Sequence, residues 1–296
     1  MIVLYEFDAI GTHWWIELLD GSHFDEALVH RIKKTVQQFD LRYSRFLDES
    51  LVSELYRTGS LSHPPAEMIR MLEFAREMQE VSEGAFDISV GNTLHRMGYG
   101  KRSVAGSVAT LSFWDHLTLT PMQILLFPPI AKGNVPLAEG EKGNNARGIM
   151  LDFGGFGKGW LIDQLVRDLK LAGKHEFIVN GGGDLYVRAK KPIRIALEDP
   201  MNATSSLGYV DIIHGALAGS NTIKRVWQDG SDTKHHIIDP LTDDSSATGV
   251  IASFVMADSA LIADAMATIL ILRPALEEKL KHAYNLQTVL IRKEAP

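Results

Sequence analysis

EFIVNGGGDLYVRAKKPIRIALEDPMNATSSLGYVDII, residues 176–213, carries four short runs rich in β-branched, aliphatic and aromatic residues: Glu176–Val179, Leu185–Arg188, Ile193–Leu197 and Tyr209–Ile213. Glycine, proline and asparagine separate them. A succession of strands without intervening helices implies mainly antiparallel pairing, and hence an α+β fold. On its N-terminal side, Ile149 to Lys170 reads as strand, glycine turn and helix. On its C-terminal side, a strand at Val250–Met256 feeds a helix through Leu272, then a helix from Pro274 and a last strand at Thr288–Arg292.

The first third begins as a hairpin, Ile2–Phe7 with Trp14–Leu19, followed by Ser22 as a helix cap. Phe24, Leu28, Ile32, Val36 and Phe39 then recur at helical spacing. A second helix opens at Pro64 and Pro65 and runs to about Val81, with Met68, Met71, Leu72, Ala75 and Met78 on its inner face. From Leu94 to Arg147 the periodicity fades. Pro128, Pro129, Gly133, Pro136, Gly140 and Gly143 mark turns there, around short strands at Leu117–Thr120 and Ile124–Phe127. No repeat, low-complexity linker or long charge run interrupts the chain, so the expectation is one domain over 1–296.

The 296 residues are 45% hydrophobic and 23% charged, a composition that supports a sizeable core. A formal net charge of −7 argues against a nucleic-acid surface, which needs a basic stripe. With no cysteine, disulfides, thiolate metal sites and a lipid-modified N-terminal cysteine are excluded, and any metal must rest on oxygen or imidazole. Met1 to Asp20 lacks the basic start and apolar block of a signal peptide, so the chain reads as cytoplasmic or as a trimmed exported form. Gly249 to Leu272 is apolar but broken by Asp258 and Asp264, which argues against a membrane span.

Leu151-Asp152-Phe153-Gly154-Gly155-Phe156-Gly157-Lys158-Gly159-Trp160 places glycines where a helix begins, a position whose free N–H groups favour phosphate. It is not a P-loop, since Asp152 stands where the first glycine belongs and Gly159 follows Lys158. Nor is it a dinucleotide fingerprint, because Trp160 replaces the third small residue. A tight turn without ligand remains the alternative. Asn180-Gly181-Gly182-Gly183-Asp184 has more glycine than one turn needs, which implies backbone pressed against something bulky, a ligand or another strand.

Asp264 and Thr268 lie four apart, one helical turn from each other on one face, among Ala260, Ala263, Ala265 and Ala267. Hard oxygens on a thin helix suit magnesium, which takes one or two carboxylates and fills its octahedron with water and phosphate oxygens. The alternative is a capping Asp258 and a merely solvated or paired Asp264. His235 and His236, adjacent on a short strand, point to opposite faces and do not chelate one metal together. One of them suits the role of base instead.

Taken in order, Gly84-Ala85-Phe86-Asp87, Met97-Gly98-Tyr99-Gly100, Asp152-Phe-Gly-Gly-Phe-Gly-Lys-Gly, Gly182-Gly183-Asp184, Glu198-Asp199-Pro200, His236-Ile-Ile-Asp-Pro and Ala263-Asp264-Ala-Met-Ala-Thr268 resemble the ApbE family of FAD:protein FMN transferases. Tyr43-Ser44-Arg45-Phe46 is similar to a further N-terminal block of it. The resemblance covers most of the chain from about Phe7. It implies one ApbE-like domain, with magnesium on Asp264, Thr268 and the carbonyl of Gly157. It implies FAD on Ala85, Phe86, Asp87, Gly154 and Lys158, with Phe46 near the flavin and Glu198 and Asp239 as lesser contacts. His236 then activates a Ser or Thr hydroxyl of a target protein, FMN moves to that hydroxyl, and AMP leaves. With water as acceptor the same site is an FAD pyrophosphatase, and without turnover it is an FAD-binding protein.

Two departures stand out against that family. Leu217-Ala218-Gly219 occupies the place of Thr-Ser-Gly, so hydroxyls are missing there, with Ser220, Asn221 and Thr222 as substitutes nearby. Asp239-Pro-Leu-Thr242-Asp243 replaces Asp-Pro-x-Thr-Gly and alters the turn after the histidine.

Overall fold

The computed structural model describes residues 2–100, 113–126, 148–230 and 232–293, and the turns expected at Pro128, Pro129, Gly133, Pro136, Gly140 and Gly143 lie outside them. In chain order the elements are β1 (Val3–Ala9), β2 (Thr12–Leu18), α1 (Glu26–Tyr43), α2 (Leu51–Thr58), β3 (Ser60–Ser62), α3 (Ala66–Val81), α4 (Gly91–Arg96), β4 (Leu117–Leu119) and β5 (Gln123–Leu126). They continue as α5 (Gly157–Leu171), β6 (Phe177–Gly181), β7 (Asp184–Asp199), β8 (Asn202–Asn221), β9 (Val226–Asp229), β10 (Asp232–His235), β11 (Ile238–Asp239) and β12 (Asp244–Ser245). The last are β13 (Val250–Ala257), α6 (Ala260–Leu272), α7 (Glu277–Tyr284) and β14 (Gln287–Arg292). The fold is α+β and its described strand pairs are antiparallel.

The chain forms two compact units. The first comprises Met1–Asp40, Phe153–Val226 and Ser246–Pro296. It is built on a seven-stranded sheet in the order β1-β2-β6-β7-β8-β13-β14. Three of the four strand runs read in 184–213 join into two long strands, β7 and β8. Lys190-Lys191-Pro192 does not end β7, because the pairing with β8 shifts register between Arg188 and Ile193, where a proline without an N–H is tolerated. Helix α6 is buried almost all round, Ala260 and every residue from Ala263 to Leu272 included, with Asp264 and Thr268 its polar side chains in that stretch. A helix this apolar belongs inside the core, and the two polar groups it carries there need partners. The apolar stretch at 249–272 is therefore a central strand and a short buried helix, and no helix among the described residues is long and apolar enough to cross a membrane.

The triple glycine serves both packing and a turn: Gly182 and Gly183, at φ 68° and 102°, form the tip between β6 and β7, while Gly181 and Gly182 lie against side chains. A Cβ on Gly181 would lie 2.5 Å from the Trp14 indole, and one on Gly182 2.5 Å from the Thr12 hydroxyl. The bulky object is thus a neighbouring strand's side chains. Gly181→Ala is expected to cost about 1–3 kcal/mol, the usual penalty for overpacking a filled core. A urea unfolding midpoint equal to that of the parent protein would rule this out.

The second unit comprises Leu41–Asp152 and Trp227–Ser245. Its α3 buries Met68, Met71, Leu72, Ala75 and Met78, the five residues expected from the periodicity. It also holds the three-stranded sheet β3-β5-β4 and the pair β11-β12. The strand expected at Ile149 is absent. Residues 148–153 have no regular structure, although Ile149 and Leu151 are buried. Apolar content there marks burial rather than pairing, and Asp152 instead donates its N–H to the Ile88 carbonyl at 2.7 Å.

Candidate functional site

In the first unit, the N-terminal turn of α5 meets α6 at close range. A Cβ on Gly159 would fall 2.2 Å from the Ala260 carbonyl oxygen, so only glycine lets the two helices approach there. The approach lets the Gly159 N–H donate to Asp264 Oδ2 at 2.9 Å. The other oxygen of Asp264 lies 3.5 Å from the Lys158 ammonium, which also pairs with Asp184. Asp184 in turn accepts the Gly219 N–H at 2.9 Å. Both carboxylates are buried, with side chains only 2% and 3% exposed, while Lys158 retains 21%. Burial pushes the Asp264 carboxyl above the usual carboxylate range, against the opposing pull of Lys158, the Gly159 N–H and, more weakly, Arg225.

Thr268, one turn along α6, faces the same place, and its Oγ1 lies 3.2 Å from the Ser220 hydroxyl of β8. The structure thus brings Asp264, Thr268 and Lys158 together, with Asp184 and Ser220 beside them. In the sequence Asp184 stands out as the end of the glycine triplet and as part of a block that carries the resemblance, with no role attached to it. Ser220 was visible as a substitute for the hydroxyls missing at 217 and 218, where Leu217 and Ala218 are buried. Gly157 is the first residue of α5 and is buried, and Gly154 sits exposed in the preceding turn. Glu198 lies on β7 and pairs with Lys224 at 2.5 Å.

No group of three or more His, Asp or Glu side chains suited to a metal gathers among the described residues. The donors at this place are two carboxylates and two hydroxyls. That is a hard-oxygen set of the kind magnesium accepts when waters and phosphate complete its shell. Ser259, not Asp258, caps α6, accepting the Ile262 N–H at 3.2 Å. Asp163 of α5 takes the Ala260 and Leu261 N–H groups at 3.0 and 3.1 Å. These contacts fix the start of α6 and so the position of Asp264.

In the second unit, Phe46 is exposed and stands edge-on to Tyr99 at 6.4 Å. The His236 ring stacks on Tyr99 at 6.3 Å, and Trp227 lies 5.2 Å from it. Arg45 sits beneath this cluster, 4.2 Å from the Phe46 ring centre, held by Asp152 at 2.5 Å and by the Tyr99 carbonyl at 3.1 Å. An exposed aromatic over a tethered guanidinium is a stacking platform for a planar ring. Arg45, Tyr99 and Trp227 were not singled out by sequence, although Arg45 and Tyr99 lie inside the blocks that carried the resemblance.

His235 ends β10, and its Nδ1 accepts the Ile237 N–H at 3.3 Å, which commits that ring to the backbone. Asp239 accepts the Leu241 N–H at 3.0 Å and shapes the following turn. Asp243, where the family has glycine, holds a left-handed backbone with φ 55°. It is tied there by the Thr93 hydroxyl and by Arg96 at 2.5 Å. Ala85 and Phe86 are buried, the Phe86 N–H donating to Ser82 Oγ at 2.8 Å. Asp87 accepts the Ser89 N–H at 2.8 Å, and burial raises its pKa.

The ApbE family model matches residues 10–289, a span that runs through both units. An FAD:protein FMN transferase of Rhodobacter capsulatus is 27% identical over 75% of this chain, which spans only 41% of that longer protein. One from Haemophilus influenzae is 22% identical over 88% of this chain and 77% of its own length. One from Escherichia coli K12 is 22% identical over 99% of this chain and 85% of its own length. Among solved structures, the ApbE protein of Thermotoga maritima superposes with a TM-score of 0.80 at 20% identity, covering 99% of this chain and 97% of that one. The flavin transferase ApbE of Vibrio cholerae gives 0.79 at 21% identity, covering 99% and 94%. At such identities the structural likeness shows the fold.

Proposed function

Because the chain belongs to the ApbE family, we propose that it is a magnesium-dependent FAD:protein FMN transferase that moves FMN from FAD to a Ser or Thr hydroxyl of a target protein and releases AMP. The observation that carries this reading is the buried pair Asp264 and Asp184 around one lysine, with two hydroxyls beside it. Two buried carboxylates are costly unless they hold a cation or act on one. Asp264, Thr268 and the Gly157 carbonyl would hold magnesium, which when bound neutralises charge that builds on the pyrophosphate as AMP leaves.

The chain's own groups supply the rest. Lys158 and the positive end of the α5 dipole attract phosphate oxygens. In the second unit Phe46, backed by Arg45 and Tyr99, offers its ring to the flavin, with Ala85, Phe86, Asp87 and Asp239 as the further contacts that the resemblance implies, and in the first unit it implies Gly154 and Glu198. His236, rather than the backbone-committed His235, accepts the proton of the attacking hydroxyl.

The test is mass spectrometry of a Ser- or Thr-bearing acceptor peptide incubated with the protein, FAD and Mg²⁺. A mass gain equal to FMN together with AMP is expected. AMP without a modified peptide would instead indicate a pyrophosphatase, and FAD retained intact a binding protein. His236→Ala should slow FMN transfer by about 100-fold, the lower range for a lost general base, with FAD affinity kept. Equal losses in His235→Ala would reverse the choice of base.

A further inference from the structure

Ser253 of β13 is fully buried, yet its hydroxyl has no hydrogen-bond partner among the described residues. An orphaned hydroxyl in a closed space is unfavourable, and alanine or valine would fill the position without that penalty. Its surroundings suggest what the hydroxyl awaits. Ser253 stands directly opposite Ser220 in the β8–β13 register. Such cross-strand pairs project to one face with Cβ atoms about 4.5–5.5 Å apart. That face meets α6, where Ser220 Oγ already lies 3.2 Å from Thr268 Oγ1.

We propose that Ser220 and Ser253 are positioning residues that orient the Thr268 hydroxyl toward a bound divalent cation, an inference that rests on the magnesium reading above. A hydroxyl has one proton and two lone pairs. When the Thr268 oxygen serves a cation, its proton must be donated away from the metal, and Ser220 is the acceptor in reach. Ser220 is then left with its own proton to place, and the lone pair of Ser253 across the strand pair receives it. Without a cation, Thr268 and Ser220 satisfy each other in either direction, and Ser253 stands idle. Outer partners of this kind fix the direction of a ligand and typically change metal affinity by about 10–100-fold.

The experiment titrates Mn²⁺ alone into the metal-free protein and reads free Mn²⁺ by electron paramagnetic resonance, with Mg²⁺ as competitor. Ser220→Ala and Ser253→Ala are each expected to weaken binding about 10-fold. The double variant should be no weaker than Ser220→Ala, because both changes cut one chain. The melting midpoint of metal-free Ser253→Ala should equal or exceed that of the parent. Parent-like Mn²⁺ affinity in either single variant, multiplied losses in the double, or a loss that follows a lowered melting midpoint would overturn the proposal. A parent protein that binds no Mn²⁺ or Mg²⁺ would overturn the magnesium reading itself.

Discussion

Asp264→Ala is expected to abolish FMN transfer, lowering the rate at which FMN appears on an acceptor peptide by about 1,000-fold or more. The change removes the carboxylate that lies one helical turn from Thr268 on α6, and with it the charged donor proposed for magnesium. It also leaves the Gly159 N–H, which now donates to Asp264 at 2.9 Å, buried without an acceptor. That loss costs about 1–3 kcal/mol and will lower the melting midpoint as well. Asp264→Asn separates the two effects, since an amide oxygen can still accept the Gly159 N–H while the charge is gone. The expected result is a protein that melts near the parent and transfers no FMN. Transfer at the parent rate in Asp264→Asn would show that the acidic group on α6 is not the metal ligand.

The sequence made Asp264 legible because a helix repeats every 3.6 residues, so the spacing to Thr268 alone sets both oxygens on one face. The same local logic yielded the five buried residues of α3 and the strands around the glycine triplet. It failed where the deciding contact is remote in sequence. Asp184 meets Lys158 and Gly219 from positions 26 before and 35 after it. No periodicity links those segments. Arg45 owes its role to Asp152, 107 residues away, and to the rings of Phe46 and Tyr99. The apolar run before the glycine turn misled in the opposite direction, since Ile149 and Leu151 are buried without joining a sheet. The glycines divide in the same way. Those at 181 and 182 yield to Trp14 and Thr12, while Gly159 permits the helix contact that delivers an N–H to Asp264.

Lys158→Met should produce the largest loss of stability, and one that depends on pH. In the native chain one ammonium lies against two buried carboxylates. Methionine keeps the volume and removes the ammonium that serves both. Breaking a buried pair by deleting one partner costs about 3–5 kcal/mol, and the partial exposure of Lys158 argues for about 3. Burial already raises the native pKa of Asp264 while Lys158 pulls it down. Without the lysine the rise is greater. A carboxyl whose native pKa exceeds its unfolded value binds more protons in the folded state, so stability is highest in acid and falls as pH climbs. The fall begins near the ordinary aspartate value of about 4 and ends once the native carboxyl has ionised. In chelator-treated protein, the melting midpoint of Lys158→Met should therefore drop relative to the parent as pH rises above about 4. Adding Mg²⁺ should recover more of that loss in the variant than in the parent, because the divalent ion then supplies the missing positive charge. A constant difference from the parent across that range, unaffected by Mg²⁺, would mean that Lys158 contributes packing rather than charge to the two carboxylates.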